Sequence, residues 1–415
     1  MGQDTDLAET ARLLAVSPVP LWPDTNGYAL RVVNLVRELS ARWDVVLVAA
    51  ASPPEHDRTS SLGVHTHVPV KVRGNIATMP WQLETQPLCA EALRAVQTYG
   101  PSCALLWSGI EFLAFDLDVP VVLGDRIDCA TLAQVRNLRG APSLKERWHS
   151  LTGAAQAAAY ERKIVRELSV TTVVGEADAR MLRRISNRDS VHVVPNGATP
   201  GRPPSDSDET ELPTVVFSGA LGFRPNADAA RFFATEIFPH VKAQVRDARF
   251  VVVGWGTEAQ ERALSSLPGV EVHSNVPDMG EELRAAWVTV APMRSGCGIK
   301  NKVLEAWAVG KPVVMTSLAT NGLAPDYDRG SLIADAPRDF AGAVARLLLD
   351  KTERRRLGRG GYDLVPAHYT WSQAAETVTA ILRGVRGTDH ITVQPEPNQS
   401  SPGGSDRPSD QPQPV

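Results

Sequence analysis

The chain has 415 residues, 43% of them hydrophobic and 22% charged, with a net charge of −4. That length suits two domains of ordinary size, and the weak negative charge gives no electrostatic case for a nucleic acid partner. No apolar run approaches the roughly 20 residues of a membrane span, and four cysteines without CxxC spacing (Cys89, Cys103, Cys129, Cys297) argue against a zinc site or a disulfide framework. The opening MGQDTDLAET is acidic and polar, unlike a secretory signal, so the expected location is cytoplasmic.

From about residue 12 to residue 350, short apolar runs alternate with helical patterns. Runs near 12–17, 45–50, 102–107, 119–123, 170–174 and 191–194 read as strands, as do those near 214–218, 249–253, 287–292 and 312–316. Such alternation predicts an α/β fold with parallel sheets. After the first strand, Gly27 closes a Pro-Asp-Thr-Asn loop and a helix is expected from about Tyr28. Glycine there lets a ligand approach the backbone beside helix N–H groups, or it makes a plain strand-to-helix turn. Arg31, one turn on, either supports that site or is solvated.

Asp125, Arg126 and Asp128 follow the expected strand 120–123, and Asp128 either serves a site or caps a loop. Residues 131–190 hold 11 Lys/Arg against 6 Asp/Glu, so a basic helical face there either docks on anionic lipid or is simply solvated. Residues 198–213 have the Pro, Ser and acid content of a linker, which separates an expected first domain (1–197) from a second (214–366). Arg224 lies in the loop expected after the strand 214–218. Gly254-Trp255-Gly256 lacks the third small residue of a dinucleotide fingerprint. A late apolar-periodic helix begins near Trp371, and from 388 to 415 the composition is that of a disordered tail. Two such domains on a hinge enclose a cleft, a favoured place for a ligand.

The densest signal is 296–314, GCGIKNKVLEAWAVGKPVV. An apolar run, 287–293, is followed by a glycine loop, about ten residues of helical period, the stop at Gly310 and a second apolar strand at 313–315. This is one βαβ unit. Gly296 and Gly298 sit where backbone N–H groups can face an anion. Lys300 and Lys302 fall in the expected first helical turn, where the helix dipole disfavours a lone cation. Glu305 shares a helical face with Lys302 among apolar neighbours. A phosphate-bearing ligand explains all four features together.

Six segments in order carry a resemblance. They are Pro20–Arg31 (PLWPDTNGYALR), Val193–Gly197 (VVPNG), Ser218–Asn226 (SGALGFRPN), Val252–Gly256 (VVGWG), Asn275–Asp278 (NVPD) and 296–314. Together they resemble the GT-B retaining glycosyltransferases of group 1, glycosyltransferase family 4, in particular bacterial sugar transferases with a GxGIxNKVLEA motif. The resemblance runs from about residue 12 to residue 386. It implies two Rossmann-like domains facing across a cleft, acceptor on the first and donor on the second, with a helix at 371–386 crossing back to the first.

It also implies roles. Gly27, Gly219, Gly254, Val276, Gly296 and Gly298 would line the nucleotide-sugar, and Glu305 would accept hydrogen bonds from ribose hydroxyls. Lys302, Lys300 and Arg224 would neutralise the departing diphosphate, with Asp128 near the reacting carbon. The expected reaction moves a sugar, with retention, from a nucleoside diphosphate-sugar to a hydroxyl of a glycan, a lipid-linked sugar or a small molecule. No cofactor beyond that co-substrate and no metal is expected, and peripheral membrane association would suit a lipid-linked acceptor. Two positions depart from the family pattern. Arg224-Pro225-Asn226 stands where many members carry an Arg-Lys pair a little further on, and Cys297 replaces the first glutamate of a paired-glutamate motif. The second change keeps open a non-catalytic nucleotide-sugar-binding partner; an epimerase on the same fold is the other alternative, which the missing glutamate weakens.

Overall fold

The computed structural model describes residues 11–388, apart from 23–25, 53–56, 73–84, 141–142 and 206–207. The tail expected to be disordered lies, from residue 389 onward, outside the described residues. Seven strands form the first sheet: β1 (Arg12–Ser17), β2 (Asp44–Ala50), β3 (Thr66–Val70), β4 (Cys103–Trp107), β5 (Val121–Ile127), β6 (Val170–Val173) and β7 (Val191–Val193). Six form the second: β8 (Thr214–Ser218), β9 (Arg249–Val253), β10 (Val270–His273), β11 (Val288–Ala291), β12 (Val313–Met315) and β13 (Ser331–Ile333).

The strand orders are β3-β2-β1-β4-β5-β6-β7 and β10-β9-β8-β11-β12-β13. Every pairing is parallel. Both sheets therefore share the doubly wound order, which reverses beside β1 and beside β8. Ligands of such sheets bind past the carboxyl ends of the strands at that reversal.

Successive residues of the interior strands enter opposite cores, as the two-residue period of a strand requires. Leu13, Ala15, Val45, Leu47, Cys103 and Leu105 pack on one face of the first sheet. Leu14, Val16, Val46, Val48, Ala104 and Leu106 pack on the other. Burial on both faces explains the nearly continuous apolar runs. The strands absent from the expected set, β3, β10 and β13, are all sheet edges with polar or half-exposed residues. The strand expected at 120–123 continues to Ile127 and takes Asp125 and Arg126 with it.

Between the sheets, residues 198–205 and 208–213 lie against the second domain. Gly201 N donates to Ala308 O, Trp287 Nε1 donates to Thr210 O, and Arg354 grips Glu209 through two nitrogens. The helix Lys351–His368 packs in the second core through Leu357, Leu364 and Val365. The next helix, Trp371–Thr388, crosses to the first domain, where Trp371, Ala374, Ala375, Val378 and Leu382 join the core beneath β1 and β2. Trp43 Nε1 donates to its Thr379 Oγ1 at 3.0 Å.

Candidate functional site

The carboxyl ends of both sheets face the same cleft. On the second domain, Gly219 and Gly254 follow β8 and β9 and close on each other. Asn226, from the helix Arg224–Phe232, packs against Gly219, donates to Ala220 O at 3.1 Å and accepts from Lys302 Nζ at 2.9 Å. The Lys302 ammonium also lies 4.8 Å from the Phe217 ring centroid. Burial, assisted by the like charge of Lys300, pushes its amine down to about 8, with Glu305 opposing.

Glu305 sits one turn along the same helix, Asn301–Ala308, and is half-buried. Burial raises its carboxyl above the usual range and Lys302 offsets part of that rise. Among the described residues its carboxylate takes no hydrogen bond. A carboxylate with both oxygens free at a cleft wall is an acceptor for paired hydroxyls.

Other expected residues stand differently from their sequence placement. Lys300 precedes the helix rather than lying in its first turn, and its ammonium turns back to Cys297 O and Gly298 O at 2.7 Å each. It holds the glycine loop. Arg224 opens the helix Arg224–Phe232 instead of sitting in a loop, and it is exposed without an ion pair among the described residues. Val276, expected to meet the nucleotide through its backbone, packs its side chain into the small core of Val253, Leu283 and Val309, which is compatible with that expectation. At the start of the helix Gly27–Ser40, the side chain of Asn26 already takes the N–H groups of Tyr28 and Ala29, at 3.0 and 2.9 Å. Those two N–H groups are spent on the cap, and they are not free donors.

Across the cleft, Asp128 follows Ile127, whose φ of 61° is strained for a β-branched residue. Its carboxylate occupies the space a Cβ on Gly298 would need, and Gly298 itself has a φ of 65°, so only glycine fits there. Solvent still reaches Asp128, but both walls crowd it. That crowding, with the like charge of Asp178, pushes its carboxyl up to about 6 against the pull of Lys300, Arg31 and Arg136.

Asp125 and Arg126 belong to the buried interior. Arg126 lies between Glu111 (2.8 Å) and Glu161 (3.0 Å), and Glu161 also receives the N–H groups of Ala130 and Thr131. Arg31 is neither solvated nor at the cleft surface. It is fully buried, with two hydrogen bonds to Asp125 (2.7 and 3.0 Å) and one to Asn196 Oδ1 (2.7 Å).

Two residues that sequence reasoning passed over complete the site. Arg136 Nη1 reaches across the cleft to Gly296 O at 3.0 Å and lies 3.5 Å from Cys297 Sγ. Asn301 accepts from Asn196 Nδ2 at 2.7 Å and fills the place where a Cβ on Gly27 would stand 2.9 Å from its Nδ2. Gly27 thus makes room for Asn301. Asn301 lies in the GxGIxNKVLEA motif, but its role, like that of Arg136, is defined by a partner in the other domain.

Residues 212–350 match the family model described as glycosyl transferases group 1. The second domain is a group 1 glycosyl transferase domain. The described residues have the GT-B fold. It superposes on sucrose-phosphate synthase from Thermosynechococcus elongatus with a TM-score of 0.72, at 17% identity over 91% of this chain and 100% of that one. On Anabaena HepE, in complex with UDP and glucose, the TM-score is 0.63 at 12% identity over 90% and 99%. On WaaG, a glycosyltransferase involved in lipopolysaccharide biosynthesis, it is 0.61 at 13% over 90% and 100%. A stretch of 192 residues is 30% identical to the GDP-mannose-dependent alpha-(1-6)-phosphatidylinositol monomannoside mannosyltransferase of Mycobacterium tuberculosis. That alignment spans 42% of this chain and about half, 48%, of the curated relative. The group 1 domain contributes Lys302, Glu305 and the glycine loop, and the first domain contributes Asp128, Arg136 and Gly27.

Proposed function

We propose that the protein transfers a sugar from a nucleoside diphosphate-sugar to an acceptor hydroxyl, with retention of anomeric configuration. The observation that carries this reading is the Lys302–Glu305 pair on one helix at the carboxyl end of the second sheet, just past a glycine loop whose Gly298 meets Asp128 of the first domain. As the glycosidic bond breaks, negative charge accumulates on the departing diphosphate. Lys302 and the exposed Arg224 are the cations placed to stabilise it, while Lys300 keeps the glycine loop in shape. These cations supply the positive charge that a metal would otherwise bring, so the reaction is read as metal-independent. Glu305 takes the ribose hydroxyls. Asp128, ionised above about pH 6, offsets positive charge developing on the sugar.

The acceptor is read as a glycan or lipid-linked sugar, with a small molecule as the remaining class. One relative is named as acting on a phosphatidylinositol mannoside, and the helix Leu144–Glu167 presents Leu144, Trp148 and Leu151 to solvent beside exposed Lys145 and Arg147. Apolar side chains one and two turns apart, flanked by cations, are the composition of a surface that rests on anionic lipid. No helix among the described residues is long and apolar enough to cross a membrane. Of the two first-domain segments expected to hold the acceptor, around residues 76–88 and 131–144, residues 76–84 and 141–142 lie outside the described residues.

A second reading, a nucleotide-sugar-binding partner without turnover, is favoured by Cys297. Burial pushes its thiol up to about 12, so it stays neutral and supplies no anion to the sugar.

Thermal unfolding with UDP, GDP, ADP and dTDP tests the nucleotide site, because stabilisation follows affinity. At least one diphosphate should raise the melting temperature of the wild type and fail to raise that of Glu305→Ala. Silence from all four in the wild type would overturn the reading.

A further inference from the structure

A line of polar side chains crosses from the first domain to the second. Asp125 on β5 accepts both hydrogen bonds of a bidentate pair from Arg31, and both side chains are essentially inaccessible to solvent. Arg31 Nη1 donates to Asn196 Oδ1 at 2.7 Å, and Asn196 Nδ2 donates to Asn301 Oδ1 at 2.7 Å. Asn196 is buried and Asn301 half-buried.

The direction of this line follows from chemistry. A guanidinium has donors and no acceptor, so the atom Asn196 turns toward Arg31 must be its oxygen. The Asn196 amide nitrogen then faces Asn301, whose oxygen must accept. What remains is the Asn301 NH2 group. It points at Gly27 and makes no hydrogen bond among the described residues.

We propose that Asn301 donates a hydrogen bond to an oxygen of the donor's sugar-side (β) phosphate, and that Arg31 and Asn196 are positioning residues which set the orientation of its amide. The proposal rests on the nucleoside diphosphate reading above. With the N–H groups of Tyr28 and Ala29 taken by Asn26, the Asn301 NH2 is a side-chain donor that this wall of the cleft still offers at Gly27. The relay gives the same group two duties. It joins the domains through Asn196, and it presents N–H rather than carbonyl oxygen to an anion, which a freely rotating amide would not do.

Calorimetric titration of the full chain with GDP and UDP, and with GMP and UMP, tests the assignment. Asn301→Asp can still accept from Asn196 but turns a carboxylate oxygen toward Gly27, so its affinity for the diphosphate should fall tenfold or more while monophosphate affinity changes little. Asn301→Ala should lose about fivefold, the scale of one hydrogen bond. Asn196→Asp still accepts from Arg31 but no longer donates, so Asn301 turns its NH2 toward position 196. The diphosphate should weaken about as much as in Asn301→Ala, although residue 196 does not touch the ligand. Wild-type diphosphate affinity in Asn301→Asp, or equal losses for mono- and diphosphate, would overturn the proposal alone. A wild type that binds neither diphosphate would remove the nucleotide reading and this inference together.

Discussion

Lys302 is held where its charge is costly, and that makes its role measurable. The half-buried amine sits near 8 in the folded chain against an ordinary 10.5. In the unliganded protein this lowers stability most below about pH 8, and the cost is relieved as pH rises toward 10.5, because the unfolded chain then binds more protons than the folded one. A bound diphosphate favours the protonated amine. Affinity for the diphosphate should therefore fall as pH rises from 7 to 9.5, with the drop centred at or above pH 8, and Lys302→Arg should flatten that profile. A wild-type affinity unchanged over this range would contradict the placement of Lys302 at the diphosphate. Glu305→Ala should weaken diphosphate binding by about 1.5–3 kcal/mol, the scale of a hydrogen bond to a charged group; wild-type affinity in calorimetry would remove its ribose role. Lys302 and Glu305 were legible because their helix, loop and strand lie within twenty residues. Arg31 was not, since its partners stand 94 and 165 residues away. An arginine among apolar residues reads as solvated until Asp125 is seen opposite it.

Among elements, legibility followed burial. Interior strands such as β2 and β4 are apolar on both faces and announce themselves, whereas the edge strands β3, β10 and β13 need only one paired side and tolerate Thr, Glu, His and Ser. The carboxyl end of β5 was missed for the opposite reason. Its charges are buried, each paired with a partner from another element: Arg31 for Asp125, and Glu111 with Glu161 for Arg126. The helix Leu144–Glu167 supplies an element-scale test. Trp148 and Leu151 are 65% and 51% exposed, more than packing against the first domain would leave. If they rest on lipid, replacing both by serine should weaken co-sedimentation with phosphatidylglycerol vesicles at least tenfold, each buried large side chain being worth roughly 1.5–3 kcal/mol. Equal sedimentation of wild type and double variant would assign the stripe to something other than lipid.

At the scale of the molecule, two sheets of the same winding put two strand reversals face to face, and the chain passes between them twice. The first passage, through Asn196 and Gly197, is marked by its own motif. The second, where Tyr369 O accepts from Ala198 N and the Trp371 helix returns to the first domain, was legible only through family resemblance, because an amphipathic helix does not state which core it joins. The residues that meet across the cleft, Asp128 with the Gly298 loop, Arg136 with Gly296, and Asn196 with Asn301, exist as a site only in the closed arrangement. On the proposed transfer reading, such closure would exclude water from a sugar donor that would otherwise be hydrolysed. The most direct measurement is nuclear magnetic resonance of the purified protein incubated with a stabilising nucleotide's sugar donor and candidate glycan or lipid-linked acceptors. The account predicts a glycosylated product whose anomeric configuration matches the donor, formed far more slowly by Lys302→Ala. Tight nucleotide binding with no transfer to any acceptor, or a product of inverted configuration, would contradict it.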